Sequence, residues 1–269
     1  MAKRKKRSGE LAWGMGALVL CGVALVAVIL LLPGSPIHIE PTPTTILPPN
    51  PYDEDDFAYD GQYLTCLTGP SVLGLDVSSH QGTIDWKQVK AAGFEFVMIR
   101  VGYRGYESGL LNVDSRAQQN YEGARAAGLK VGAYFFSQAV NDAEARQEAA
   151  FVMDQIALWR VEMPVVFDWE YVDASARTAT MDKAALTRCT RAFVSAVEAA
   201  GYDAMVYFNP HLSRNLLDLE QLVDIPFWLA LYTDQMTFDH RIQMWQYTQE
   251  GRIPGIEGNV DINLWLPYE

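Results

Sequence analysis

From Val72 onward the chain alternates short apolar runs, rich in β-branched and aromatic residues, with longer stretches of helical period. The strand-like runs are 72–77, 94–101, 130–136, 164–168, 204–208, 227–231, 242–247 and 260–264; the helix-like stretches are 86–92, 115–127, 143–158, 183–200 and 212–223. Such alternation builds a parallel sheet with helices outside it, and eight strands suffice to close that sheet into a β/α barrel. Gly93, Gly128 and Gly201 end three of the helical stretches, in the usual place of a helix-stopping glycine. The pattern thins at the end: about ten residues separate the sixth and seventh strands and about twelve the last two, short for a parallel crossover with its helix. The expectation is an α/β fold, a single TIM-like barrel of eight strands and about five helices, with its last strands joined by plain loops and at least one of them antiparallel.

The chain ahead of Val72 reads differently. Leu11 to Leu32 is an uncharged run of 22 residues behind the basic cluster Lys3–Arg7. As a helix it spans about 33 Å, enough for a bilayer core. It ends Leu-Leu-Leu-Pro-Gly-Ser, without the small-x-small exit of a cleaved signal, so an uncleaved single-pass anchor at the cell membrane is expected. Positive charge stays inside, which places the C-terminal body outside the cell. Pro33 to Pro51 holds seven prolines and leads into Asp53-Glu-Asp-Asp56, so 33–71 is expected to be a stiff, solvated spacer. The organisation is thus a basic tail (1–10), a transmembrane anchor (11–32), a Pro-rich and acidic linker (33–71) and the barrel (72–269).

Charge narrows the partners. The net charge is −12; five basic side chains against one acid leave residues 1–32 at +4 and the rest at −16. An acidic body lacks the basic face that phosphate binding needs, so no nucleic acid is expected. With four histidines and no Cys-x-x-Cys or His-x-x-x-His spacing, neither a metal nor a cofactor is expected. Cys66 and Cys189 either pair, if the domain is exported, or stay as two buried thiols. The body is expected to be a monomer.

Three Asp-x-Glu pairs occur: Asp142/Glu144, Asp168/Glu170 and Asp218/Glu220. The first opens a helical stretch, where acids suit the N-terminus, and the third falls among helix-spaced leucines. Only Asp168 and Glu170 end a buried-type strand. Alternation puts both on one face, with Cα atoms roughly 6.6 Å apart, and Trp169 on the other. Two carboxyls that close cannot both ionise freely, so one keeps a proton near neutral pH beside an anion, as glycosidic bond cleavage requires. The other strand ends are polar as well: Asp76, Arg100 with Tyr103, Tyr134, Tyr207, Tyr232, Trp245 and Asp261. Arg100 within a strand needs a carboxylate partner. Acids and aromatics converging on one barrel mouth describe a sugar groove.

Gly74-Leu-Asp-Val-Ser-Ser-His-Gln-Gly82, Ile84-Asp-Trp-Lys-Gln-Val-Lys-Ala-Ala-Gly93 and Phe96-Val-Met-Ile-Arg-Val-Gly102 resemble glycoside hydrolase family 25. So do Val166-Phe-Asp-Trp-Glu170, Trp228-Leu-Ala-Leu-Tyr232, Trp245-Gln-Tyr247 and Val260-Asp-Ile-Asn263, in matching order over 72–269. The resemblance implies a flattened barrel that cleaves the β-1,4 bond between N-acetylmuramic acid and N-acetylglucosamine in peptidoglycan glycan strands. It implies Glu170 as general acid, Asp168 as electrostatic partner, and Asp76 and Asp261 as the two other acids of the site. It gives Tyr134, Arg100, Tyr207 and Trp245 to the groove, to which the strand ends add Tyr103 and Tyr232, and it implies a substrate-assisted route through the sugar's 2-acetamido group. The chain departs from the family at Tyr134-Phe-Phe136, where members often have Tyr-His-Phe. Two rival readings stay open: a catalytically silent barrel that binds glycan, and a glycosidase acting on chitin-type oligomers.

Overall fold

Each of the eight apolar runs forms a strand in the computed structural model, which describes residues 46–267. The strands are β1 (Phe57–Asp60), β2 (Tyr63–Cys66), β3 (Val72–Val77), β4 (Phe96–Arg104), β5 (Leu111–Val113), β6 (Lys130–Ser137), β7 (Val165–Trp169), β8 (Ala204–Phe208), β9 (Phe227–Ala230), β10 (Met244–Gly251) and β11 (Val260–Trp265). Five α-helices appear among the described residues: α1 (Trp86–Ala91), α2 (Ala117–Ala126), α3 (Asp142–Ile156), α4 (Lys183–Ala199) and α5 (Pro210–Asn215). The expected anchor at 11–32 lies outside the described residues; within them, no helix is long and apolar enough to cross a membrane.

The ring runs β3-β4-β6-β7-β8-β9-β10-β11 and closes back on β3. Within the ring every pairing is parallel except those of β11, which lies antiparallel to both β10 and β3; β5 adds an antiparallel edge to β4 outside it. The link from β10 to β11 is too short for a helical crossover, so the chain turns straight back. That reversal sets the start of β11 beside the end of β3, with Asp261 directly opposite Asp76.

Strand alternation sorts side chains into two cores. Phe96, Met98, Val166, Met205, Trp228 and Met244 fill the barrel, and a much larger set packs between barrel and helices. Filling is close: a Cβ on Gly74 would sit 2.2 Å from the Phe96 ring, so only glycine leaves that ring its place. Gly93, Gly128 and Gly201 all have positive φ and end α1, α2 and α4.

Two expectations are corrected. The stretch 212–223 is not one helix but α5 followed by a 3-10 turn at Leu219–Leu222. Asn209 caps α5, accepting from the His211 and Leu212 amides at 3.0 Å each, and Pro210 takes the first turn, so the helix starts and ends early. The linker expected over 33–71 also ends sooner. Residues 57–66 form the hairpin β1–β2, with Gly61 at positive φ in its turn. Phe57 packs edge-on against Trp245 at 5.0 Å and Tyr63 against Phe94 at 5.1 Å. The hairpin thus covers the outer face of β10, where the sequence leaves no room for a helix. Just ahead of it, 47–50 straps the barrel: Pro49 bridges to His240, and the Arg241 amide donates to the Pro48 carbonyl at 2.9 Å.

Candidate active site

The C-terminal ends of β3, β4, β6, β7 and β8 and the N-terminal end of β11 open into a cleft of about 270 Å³. Asp76, Arg100, Tyr134, Asp168, Glu170, Tyr207, Tyr232 and Asp261 line it. Residues almost two hundred positions apart are brought together by ring closure alone. Asp168 and Glu170 share the cleft face, while Trp169 points into the outer core, as period-two alternation requires.

Asp76 is the anchor of a polar hub. Its Oδ2 accepts from Gln246 Nε2 and from Asn263 Nδ2, both at 2.8 Å. Gln246 Oε1 in turn accepts from the hydroxyls of Tyr207 at 2.9 Å and Tyr232 at 3.1 Å. Asn263 Oδ1 accepts from the Trp228 indole at 2.8 Å. Asp261 stands opposite Asp76 in the β3–β11 ladder, where its carboxyl, when protonated, can donate to Asp76. Burial raises both: Asp76 to about 6, held back by its three donors, and Asp261 to about 8, with the charges of Asp76 and Glu170 adding to the push.

Asp168 is 5% exposed, and its Oδ1 has no hydrogen-bond partner among the described residues. Burial, then the charges of Glu170 and Asp76, drive its carboxyl well above the usual range; the Arg100 guanidinium opposes them. Glu170 is less enclosed than Asp168 and is raised by burial first and then by Asp76. The partner that Arg100 needs is Asp114, buried at the end of the β5 loop: Arg100 Nε donates to its Oδ2 at 2.8 Å. The same oxygen accepts the Ser79 amide at 3.0 Å, which ties the β3 loop to the guanidinium.

Two expected groove residues lie elsewhere. Trp245 is fully buried on the outer face of β10, its indole donating to the Leu231 carbonyl at 2.8 Å. Its neighbour Gln246 points inward, and Trp228 is the cleft tryptophan. A glutamine in a buried strand must find polar partners, and that signal could have assigned both faces. Tyr103 does not line the cleft either. A register shift between Arg100 and Gly102 changes which face later residues take, and Tyr103 stands 37% exposed, with the Arg100 guanidinium 5.5 Å from its ring centre. Ser78, Gln81, Phe136 and Gln249 join the lining. Cys66 and Cys189 are separate buried thiols. Among the described residues no three His, Cys, Asp or Glu side chains are disposed to hold a metal.

The raised carboxyls predict a pH-dependent stability. The folded chain keeps protons on Asp76 and Asp261 that the unfolded chain has already released above about pH 4. Stability therefore falls as pH rises through the range from about 4 to about 8. Asp261→Asn keeps a donor beside Asp76 and removes one of these groups. Its Tm should exceed that of the parent at the alkaline end and fall less steeply with pH. Equal slopes in thermal melts of the two proteins would show that Asp261 ionises freely.

The profile described as Glycosyl hydrolases family 25 matches residues 75–256. The autolytic lysozyme of Clostridium acetobutylicum is 28% identical over 191 residues, 71% of this chain and 54% of that protein. The modular autolysin LytC of Streptococcus pneumoniae, solved in complex with a synthetic peptidoglycan ligand, superposes with a TM-score of 0.64 at 27% identity, over 72% of this chain and 46% of that one. The bacterial lysozyme of Streptomyces coelicolor superposes at 0.56 and 25% identity, covering 73% and 91%. The chain thus spans about half the length of the Clostridium and Streptococcus proteins.

Proposed function

The chain belongs to glycosyl hydrolase family 25, and from that membership and the geometry of its cleft we propose that the barrel is a muramidase that cuts the β-1,4 bond from N-acetylmuramic acid to N-acetylglucosamine in peptidoglycan. The observation that carries the proposal is the meeting of Asp168 and Glu170 with Asp76 and Asp261 in one mouth. The peptidoglycan ligand of the LytC complex supports the substrate class.

Glu170 is the general acid. Burial and the charge of Asp76 hold its proton, and its greater openness lets it reach a leaving oxygen. As the glycosidic bond breaks, that proton passes to the departing N-acetylglucosamine oxygen and the muramic sugar gains positive charge. With Glu170 protonated its charge no longer raises Asp168, which releases its own proton to solvent as substrate binds and stabilises the growing positive charge as a carboxylate. A developing cation acts on it as Arg100 already does, drawing the carboxyl back down. The acetamido oxygen on the same sugar attacks the anomeric carbon to give a cyclic intermediate. Water then opens it, returning a proton to Glu170. Asp76, held by Gln246 and Asn263, and Asp261, whose raised carboxyl keeps its proton beside it, leave the opposite wall polar without adding two full charges.

The test is the identity of the new chain end. Full-length protein incubated with purified peptidoglycan should release fragments that mass spectrometry finds ending in reducing N-acetylmuramic acid. Reducing N-acetylglucosamine, or preferential cutting of chitin-type oligomers, would transfer the chain to another glycosidase specificity. Binding with no new reducing ends would make it a silent glycan-binding barrel.

A further inference from the structure

Glu170 stands one residue beyond the last rung of β7, where Trp169 pairs with Ser137 of β6. The chain then runs without helix or strand through 171–182, apart from turns. Something other than the sheet must hold the main chain at Glu170. Gln138, the residue after β6, occupies that place. It is wholly buried, and its Nε2 donates to the Glu170 carbonyl at 2.8 Å and to the Ser137 carbonyl at 2.9 Å.

The remaining polar groups of Gln138 are all engaged. Its Oε1 accepts from Thr178 Oγ1 at 2.7 Å, and its main-chain carbonyl accepts from Arg177 at 3.0 Å. Its amide donates to the Glu148 carboxylate. Two carbonyls on one side and a hydroxyl on the other leave the side-chain amide a single orientation. Arg177 extends the clamp, gripping both Glu144 oxygens at 2.6 and 2.7 Å, and so pins the loop after Glu170 to the start of α3. None of these groups lines the cleft.

We propose that Gln138 is the positioning residue of Glu170: locked by Thr178 and the Ser137 carbonyl, its amide fixes the main chain at Glu170 and thereby the direction in which that carboxyl enters the cleft. The proposal rests on the muramidase reading. A general acid works only within hydrogen-bond reach of its oxygen, and a misplacement of about 1 Å costs on the order of a hundredfold in rate. The ladder fixes Asp168 within β7 but stops short of Glu170, so the two carboxyls depend on different supports.

The experiment compares full-length wild type with Gln138→Leu, which keeps bulk and loses the amide, and Thr178→Val, which keeps shape and frees the Gln138 oxygen. Steady-state kinetics on soluble peptidoglycan fragments should show kcat for Gln138→Leu lowered by about tenfold or more with KM within about twofold. The alkaline limb of its kcat/KM profile should move to lower pH, because a loosened Glu170 meets more water and loses its proton sooner. Thr178→Val should show both changes to a smaller extent. A fold-stabilising role alone would lower Tm and leave that limb where it is.

A folded Gln138→Leu protein with wild-type kcat and an unmoved limb overturns the proposal, as does a rise in KM alone. If Gln138→Leu does not fold, Thr178→Val decides by the same two readings. Wild-type protein that releases no muropeptides is a separate result, which removes the muramidase reading and this proposal with it.

Discussion

Glu170→Gln is expected to lower peptidoglycan hydrolysis by about 10²- to 10⁴-fold, the usual worth of a general acid, while leaving the fold intact. Glutamine fills the same space and can still donate a hydrogen bond, but it has no proton to release to a leaving oxygen. The Gln138 contact is made to the Glu170 main-chain carbonyl, so it survives the change. The buried carboxyl is also a source of instability at neutral pH, so the variant should melt no lower than its parent. Reducing-end assays and thermal melts on the same preparation check both halves. Equal hydrolysis by the two proteins would end the case for Glu170, and hence for the acid–base scheme.

Arg104→Met should produce the largest loss of stability, about 3–5 kcal/mol at alkaline pH, where it strands a carboxylate in the core. Glu148 has no exposed surface; it accepts from Arg104 Nε at 2.7 Å and from Ser137 Oγ at 2.6 Å. Arg104 also donates to the carbonyls of Gly109 at 2.7 Å and Glu144 at 3.1 Å, so it joins the β4–β5 turn to α3. Burial already lifts Glu148 to about 7 in spite of these donors. Without the guanidinium its pKa goes higher still. An acid whose folded pKa is raised loses stability as pH climbs, so the defect should be deepest at alkaline pH and shallower near pH ~5, where Glu148 takes a proton. In a barrel of this size the change in Tm is on the order of 10 °C. A Glu148→Gln, Arg104→Met double variant should recover part of it. An Arg104→Met protein that melts like wild type would show that Glu148 is neutral throughout.

The arithmetic of the fold was legible because strands and helices differ in period, and eight strand runs have few ways to close. That one of the last strands runs antiparallel followed from loop length, but not which one: β10 stays parallel to β9 and β11 reverses. Facing was harder. Strands of a parallel barrel are buried on both sides, so Phe227–Ala230 reads as one unbroken apolar run with no inside or outside. Trp228 and Trp245 therefore look alike in the sequence, and only the polar neighbour Gln246 distinguishes them. Tyr103 was misplaced by an irregularity in β4 that no periodicity announces. Asp114, which serves Arg100, resembles an ordinary residue ahead of a helix, and its role depends on a contact made across the sheet end. The hairpin at 57–66 was hidden for a related reason. Its strands are short and follow a Pro-rich acidic stretch, and the surface that makes them stable is the bare flank of β10, nearly two hundred residues away.

The strap at 47–50 has a mechanical consequence. Leu47 and Pro48 seat against Val223–Phe227 and Arg241–Gln243, the residues that lead into β9 and β10. This is the floor of the cylinder, opposite the rim where the four acids meet. Traction on the chain upstream would be received there and spread through the hairpin into the side wall. The rim lies at the far end of the strands, so its four carboxyls keep their spacing while floor and wall take the load.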